Sequence, residues 1–194
     1  ASEVVSDPTN VLALEAARRR RAGPRDAPVR LATHQRVLRQ QRFDATGAQQ
    51  HFHLLARVAA GRTRSGVAFE ASELDRQLRE DLAALRAFLG PGVRARVVVA
   101  DLSGGARAGW LEEHLLAGLR ELPDLEVELD LERTRAAGYY RELAFLLYLA
   151  DGAGGWLEVG DGGGVDWTAQ LLADRKERCW ISGLGSDRVV GLRG

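Results

Sequence analysis

A single cysteine in 194 residues, Cys179, excludes an intramolecular disulfide and any zinc site built on several thiolates. A reducing cytoplasm is the compartment this cysteine usage implies. Methionine is absent even at position 1, so a processed chain or a piece of a longer one is expected. Lysine occurs once, at Lys176, and the rest of the 27 basic residues are arginine. No apolar run approaches the ~18 residues of a membrane span, and no signal-peptide pattern is visible. Charge of one sign is missing as well. The 27 basic and 27 acidic residues cancel, so no global field draws the chain to nucleic acid or to an anionic membrane.

What is there suits one ordinary domain. Apolar residues make up 45% and charged residues 28%, a composition able to bury a substantial core at this length. Thr9 and Asn10 are placed to cap a helix over VLALEAARRRR, ended by Gly23-Pro24. The alternating segments VRLATHQRVLRQQ and QQHFHLLARVA predict an antiparallel pair within residues 29–58. In EASELDRQLREDLAALRAFLGPG, the leucines at 74, 78, 82, 85 and 89 form one stripe. Ser72 and Asp75 suggest a capping box, and Gly90-Pro91 a stop. ARVVVAD then reads as a buried strand and AGWLEEHLLAGLREL as an amphipathic helix. DLEVELDL puts Leu125, Val127, Leu129 and Leu131 on one strand face. YYRELAFLLYLA, WLEVGD and RCWISGL read as further strands, with a short helix over DWTAQLL and a terminal helical turn. Strands joined by short loops predict an α+β architecture, an antiparallel sheet with helices packed on it.

Several clusters suggest chemistry without carrying it. Arg18–Arg21 would spread around a full helical turn, so a solvated end favourable to the helix dipole is expected rather than a nucleic-acid contact. His51 and His53 share a strand face, yet no carboxylate or thiolate stands near them in sequence to complete a metal site. DLSGGARAGW resembles a phosphate-binding loop but lacks GxGxxG and the GKS/GKT ending. A turn needing positive φ explains Gly104 and Gly105 equally well. Asp151, Asp161 and Asp166 do not follow an EF-hand spacing. Cys179, beside Trp180 in an apolar strand, is expected to pack in the core.

Three separated stretches carry a resemblance. In SDPTNVLALEAARRRRAGPRDAPVRLATHQRVLRQQ, a turn of R-P-D-x-T type opens a helix and leads into a segment similar to FRxE, with Arg39 at its arginine and Gln40 for its acid. GAQQHFHL follows where a GR-aromatic-REF-x-Q stretch would stand. There Gly47 and Phe52 match, while Gln50, His51 and Leu54 replace Arg, Glu and Gln. ERTRAAGYYRELAF is similar to RGLDYY…F through Arg135, Tyr139, Tyr140 and Phe145, with Gly138 for Asp. GGGVD is similar to GGRYD, keeping Gly162, Gly163 and Asp166 but carrying Gly164 and Val165 for Arg and Tyr. GLGSDRVV is similar to GLERL, with Asp187 for Glu and Arg188 retained. Together these resemble the catalytic domain of class II aminoacyl-tRNA synthetases of the histidyl type.

The resemblance implies one synthetase-like domain over residues 1–194, without a motif 1 region or an anticodon-binding domain. It implies that Gly162–Gly164 lie on strands beneath a pocket, where side chains would obstruct a ligand. A vestigial amino-acid and ATP pocket is expected from Arg39, Gln50, Arg135, Tyr139, Tyr140, Gly163, Asp166 and Arg188, with no catalytic residue and no metal. Loss of polar partners at Gln40, His51, Leu54, Gly138, Gly164 and Val165 points to a related family, the regulatory subunit of ATP phosphoribosyltransferase in histidine biosynthesis. That relationship implies a short-form catalytic subunit as partner, a homo-oligomer, no obligatory cofactor and weak binding of ATP or histidine. A ligase activating a small acid, with Arg39, Arg135 and Arg188 on ATP, is the competing expectation.

Overall fold

The computed structural model describes residues 6–38, 50–133 and 138–193. Helix α1 (Pro8–Ala22) leads into β1 (Val29–Leu38) and β2 (His51–Arg62), and the long α2 (Ala68–Leu89) follows. Strand β3 (Ala95–Asp101) connects to β4 (Leu125–Asp130) through α3 (Ala108–Leu111), a π-helical turn (Glu112–Leu116) and α4 (Ala117–Arg120). Strands β5 (Arg141–Ala150) and β6 (Trp156–Val165), helix α5 (Trp167–Leu172), strand β7 (Glu177–Gly185) and helix α6 (Ser186–Gly191) complete the order.

All seven strands join one sheet in the order β1-β2-β7-β6-β5-β3-β4. Every pairing is antiparallel except β3 with β4, whose helical crossover requires parallel strands. The expected antiparallel α+β sheet is present, with the β1–β2 hairpin registered from Val29 opposite Ala60 to Leu38 opposite His51. The glycine run extends β6, where Gly162 and Gly163 stand opposite Phe145 and Ala144 of β5.

Helices cover both faces of the sheet. On one face Leu74, Leu78, Leu82 and Leu85 of α2 pack with Leu111 and Leu119 over Val97, Val99, Phe145, Leu147 and Trp180. On the other, Ala13 and Ala16 of α1 sit on Val58, Ala60, Val165, Cys179 and Ile181. Burying these side chains contributes about 1.5–3 kcal/mol for each large one. Cys179 is fully buried, as expected, and burial pushes its thiol up to about 12.

Local details differ from the sequence expectations in four places. Helix α1 is capped by Asp7, not by Thr9 or Asn10: the Asp7 carboxylate accepts the Thr9 N–H at 2.9 Å, and Pro8, with its preset φ, takes the first turn. Helix α2 begins at Ala68 after Val67, which leaves Ser72 inside the helix and Asp75 paired with Arg79. Strand β4 ends at Asp130, so Leu131 is exposed. The arginine run is not uniformly solvated, because Arg20 points inward while Arg18 and Arg19 pair with Glu15 at the surface.

A polar ladder docks α2 on the sheet and left little trace in the hydrophobic pattern. Glu70, Glu73, Gln77 and Asp81, spaced along one helix face, are all buried. Glu73 receives Arg30 of β1, Asp81 receives Arg57 of β2, and Glu70 meets Arg178 of β7 at 3.2 Å. Gln77 accepts the indole N–H of Trp180 at 3.1 Å and donates to Asp81. Buried charges are tolerated here because each has a counter-charge or a hydrogen bond.

Candidate functional site

At the N-terminus of α1, the starts of β5 and α5 converge with the middle of β6. Tyr140 is the centrepiece, with 8% of its surface exposed. Its hydroxyl donates to Asp161 Oδ2 at 2.9 Å, and the Arg133 guanidinium lies 5.8 Å from its ring centre. Beside it Tyr139 packs edge-on at 4.9 Å and meets Trp167 of α5 at 6.0 Å. The Tyr139 hydroxyl donates to Asp7 Oδ2 at 3.3 Å. Asp7 thereby caps α1 and anchors Tyr139 at once.

The glycines explain how Tyr140 fits. A Cβ on Gly163 would lie 2.6 Å from the Tyr140 ring and 2.9 Å from the Leu143 carbonyl. At Gly162 it would meet the Ile181 carbonyl at 2.5 Å and the Phe145 ring at 2.6 Å. At Gly164 it would meet the Arg141 carbonyl at 2.8 Å and Glu70 at 3.3 Å. The expectation that these glycines clear space for a ligand needs correction: the protein's own Tyr140, Phe145 and strand backbones occupy that space.

The electrostatics keep both phenols protonated. Burial first, and then the negative charge of Asp161, push Tyr140 far above the ordinary tyrosine range. Burial and Asp7 push Tyr139 up to about 12. The site therefore presents fixed O–H donors against two carboxylates, with Arg133 at the aromatic face. Two carboxylates in this setting can accept an ammonium group, while the guanidinium can face a carboxylate.

Of the residues expected in the pocket, Tyr139, Tyr140 and Gly163 come together. Asp166 sits at the end of β6 and approaches Arg141 at 3.6 Å. Arg188 on α6 packs its stem over Gly185 and donates to the Glu158 carbonyl at 2.6 Å. Glu158 and Asp161 are three positions apart along β6, roughly 10 Å of strand. Gln50 is exposed just before β2. Arg39 and Arg135 lie outside the described residues.

Sequence reasoning missed the roles of Asp7 and Asp161. Asp7 belongs to the quoted turn that opens α1, so its signal was present. Asp161 finds Tyr140 only across the β5–β6 pairing, a relation that no local motif reports. The histidine pair also gains a partner from afar. His53 Nδ1 lies 3.2 Å from Asp187 Oδ1, its backbone N–H donates to the same carboxylate at 2.7 Å, and His34 stacks on it at 5.7 Å. Among the described residues no group of three His, Cys, Asp or Glu side chains is placed to hold a metal, and no helix is long and apolar enough to cross a membrane.

Solved structures share this fold. Apo histidyl-tRNA synthetase from S. aureus superposes with a TM-score of 0.68 at 18% identity, covering 96% of this chain and 50% of that enzyme. The chain therefore spans half the length of that relative. A histidine–tRNA ligase subunit from Alicyclobacillus acidocaldarius gives 0.63 at 18% identity, over 96% of this chain and 75% of that one. An ATP phosphoribosyltransferase regulatory subunit/histidyl-tRNA synthetase from Bacillus halodurans gives 0.65 at 16% identity, over 97% and 64%.

The chain has the class II aminoacyl-tRNA synthetase-like fold. No protein-family model matches the sequence, and no curated protein sequence matches it significantly. Within that fold Tyr139 and Tyr140, just before β5, stand against Gly163 and Asp161 of β6.

Proposed function

We propose that the protein is a non-catalytic, histidyl-tRNA synthetase-like regulatory subunit that assembles with a short-form ATP phosphoribosyltransferase catalytic subunit. One observation carries this reading: positions where the synthetase resemblance calls for polar ligand contacts serve packing instead. Leu54 stands where the synthetase pattern has Gln. It is buried, and a Cβ on Gly183 would lie 3.0 Å from it. Val165 stands where the pattern has Tyr and is buried against α1. Gly164 stands where the pattern has Arg and leaves no side chain to offer. A site that recognises a substrate by hydrogen bonds loses discrimination steeply when those partners are absent.

The fold neighbour from Bacillus halodurans, described as both regulatory subunit and synthetase, supports the choice of partner. The site around Tyr140 would then hold histidine or a related amino acid weakly, as an effector and not as a substrate. Its ammonium would face Asp161 and its carboxylate Arg133. Cytoplasmic location and self-association belong to the same proposal.

The test has two arms. Amino-acid-dependent pyrophosphate exchange by the purified chain is expected to stay at background with histidine and with other amino acids. Co-purification with a short-form ATP phosphoribosyltransferase, followed by measurement of phosphoribosyl transfer with and without histidine, is expected to show activation and feedback that require the complex. Exchange activity above background would replace this reading with the ligase. Failure of the two chains to associate would remove the regulatory role.

A further inference from the structure

At the opposite end of α1, a cleft enclosing about 500 Å³ opens between three turns. The loop after α1 supplies Arg25 and Asp26, the β2–α2 turn supplies Arg62 and Arg64, and the α5–β7 turn supplies Lys176. Four cations thus face one acid within a chain whose net charge is zero. This is a local concentration of positive charge, not a share of a general one.

The cleft is held open by buried chemistry. Arg20 donates to the carbonyls of Pro24, Arg25 and Ala27 at 3.2, 2.8 and 2.5 Å while pairing with buried Glu177. That fixes the wall bearing Arg25. On the facing wall Thr63 Oγ1 donates to the carbonyls of Ser65 and Gly66, both at 3.1 Å, and its N–H bonds to the Lys176 carbonyl. Asp174 receives Arg62 at 2.6 Å and the Lys176 N–H at 2.9 Å. Its carboxyl lies below the ordinary range, first through that N–H and also through the charges of Arg62 and Arg25. Arg25, Arg64 and Lys176 make no close ion pair among the described residues, and all three are exposed.

We propose that this cleft binds a compact small molecule carrying two phosphate groups, at a site separate from that around Tyr140. Each phosphomonoester carries about −1.5 to −2 at neutral pH, so two of them can engage all of Arg25, Arg64 and Lys176, the three lining cations outside the Arg62–Asp174 pair. The volume falls within the ordinary small-ligand range of about 300–1,000 Å³. Among the described residues no aromatic or aliphatic side chain lines the cleft. A nucleobase or single-stranded nucleic acid would find no stacking platform there. Asp26 and the hydroxyls of Thr63 and Ser65 suit the hydroxyl groups of a sugar, while the arginines suit bidentate phosphate contacts.

Calorimetric titration of the full chain with inorganic phosphate, pyrophosphate and fructose 1,6-bisphosphate is the experiment. A bisphosphorylated probe is expected to bind at least tenfold more tightly than inorganic phosphate, weakening as salt rises. Tighter binding of the sugar over pyrophosphate would identify a sugar bisphosphate, and the reverse a free pyrophosphate group. The double variant R64E/K176E is expected to lose the binding at least tenfold with an unchanged melting temperature, since both residues are at the surface. Histidine titration of the same variant is expected to match the unmodified chain, which separates this site from the proposed effector site around Tyr140. No preference for two phosphates over one, undiminished binding by R64E/K176E, or tighter, length-dependent binding of oligouridylate would each overturn the proposal.

Discussion

Arg20 and Glu177 meet at 2.7 Å with side chains only 1% and 5% exposed, joining the end of α1 to the start of β7. The guanidinium satisfies the carboxylate and three loop carbonyls together. Removing one partner of such a pair strands the other in low dielectric, at about 3–5 kcal/mol. Arg20→Met is therefore expected to destabilise by that amount in denaturant titration. The double variant Arg20→Met/Glu177→Met should cost less than the sum of the single changes, because the stranded charge is gone. Simple additivity would show that the two residues act independently.

Gly163 and Tyr140 make a second coupled pair. Gly163→Ala drives a methyl into the ring and the Leu143 carbonyl, an overpacking expected to cost about 1–3 kcal/mol. Tyr140→Ala alone opens a cavity and costs about 3–5 kcal/mol. In the double variant the ring clash disappears while the carbonyl clash remains. Thermal melts should thus show partial, not full, relief of the Gly163 penalty.

Much of this fold was legible in the sequence, and the reasons are local. Leucine spacing marked α2, alternation marked β1, β2 and β4, and Gly104 and Gly105 do take positive φ, at 69° and 89°. The docking of α2 through Glu70, Glu73, Gln77 and Asp81 was not legible. A charged residue on a helix looks solvent-facing until a sheet arginine is known to stand opposite it. Arg20 was hidden in the same way, since a run of four arginines gives no sign of which one turns inward. In the site, Tyr139, Tyr140 and Gly163 were found through contiguous motifs, whereas Asp161 becomes Tyr140's acceptor only through strand register.

Glu70 gives a pH-dependent test. One of its carboxylate oxygens is buried without a hydrogen bond, and burial holds its pKa above the ordinary glutamate value despite Arg178. A raised carboxyl favours the protonated folded state, so stability is full below pH 4.5 and declines as pH rises through the folded value. Glu70→Gln removes that decline. The variant is expected to melt higher than the unmodified chain at pH 7 and to lose its advantage below pH 4.5. A lower melting temperature for the variant at pH 7 would mean that the Arg178 contact outweighs desolvation.

The tyrosine pair reports the opposite end of the pH scale. In the unfolded chain a phenol ionises near 10, whereas Tyr139 is pushed up to about 12 and Tyr140 higher still. Above pH 10 the unfolded state releases protons that the folded state retains, so folding stability falls as pH climbs through this window. Tyr140→Phe abolishes one such group and also the hydrogen bond to Asp161. The bond is charge-assisted, and its loss costs about 1.5–3 kcal/mol at neutral pH. The variant is therefore expected to be less stable at pH 7 and to lose stability less steeply between pH 10 and pH 12. Phenolate absorbance in the folded protein should appear late in the unmodified chain, and the step missing in Tyr140→Phe should be the most alkaline one. Parallel stability profiles for the two proteins above pH 10 would show that Tyr140 ionises freely and that its bond to Asp161 does not hold the proton.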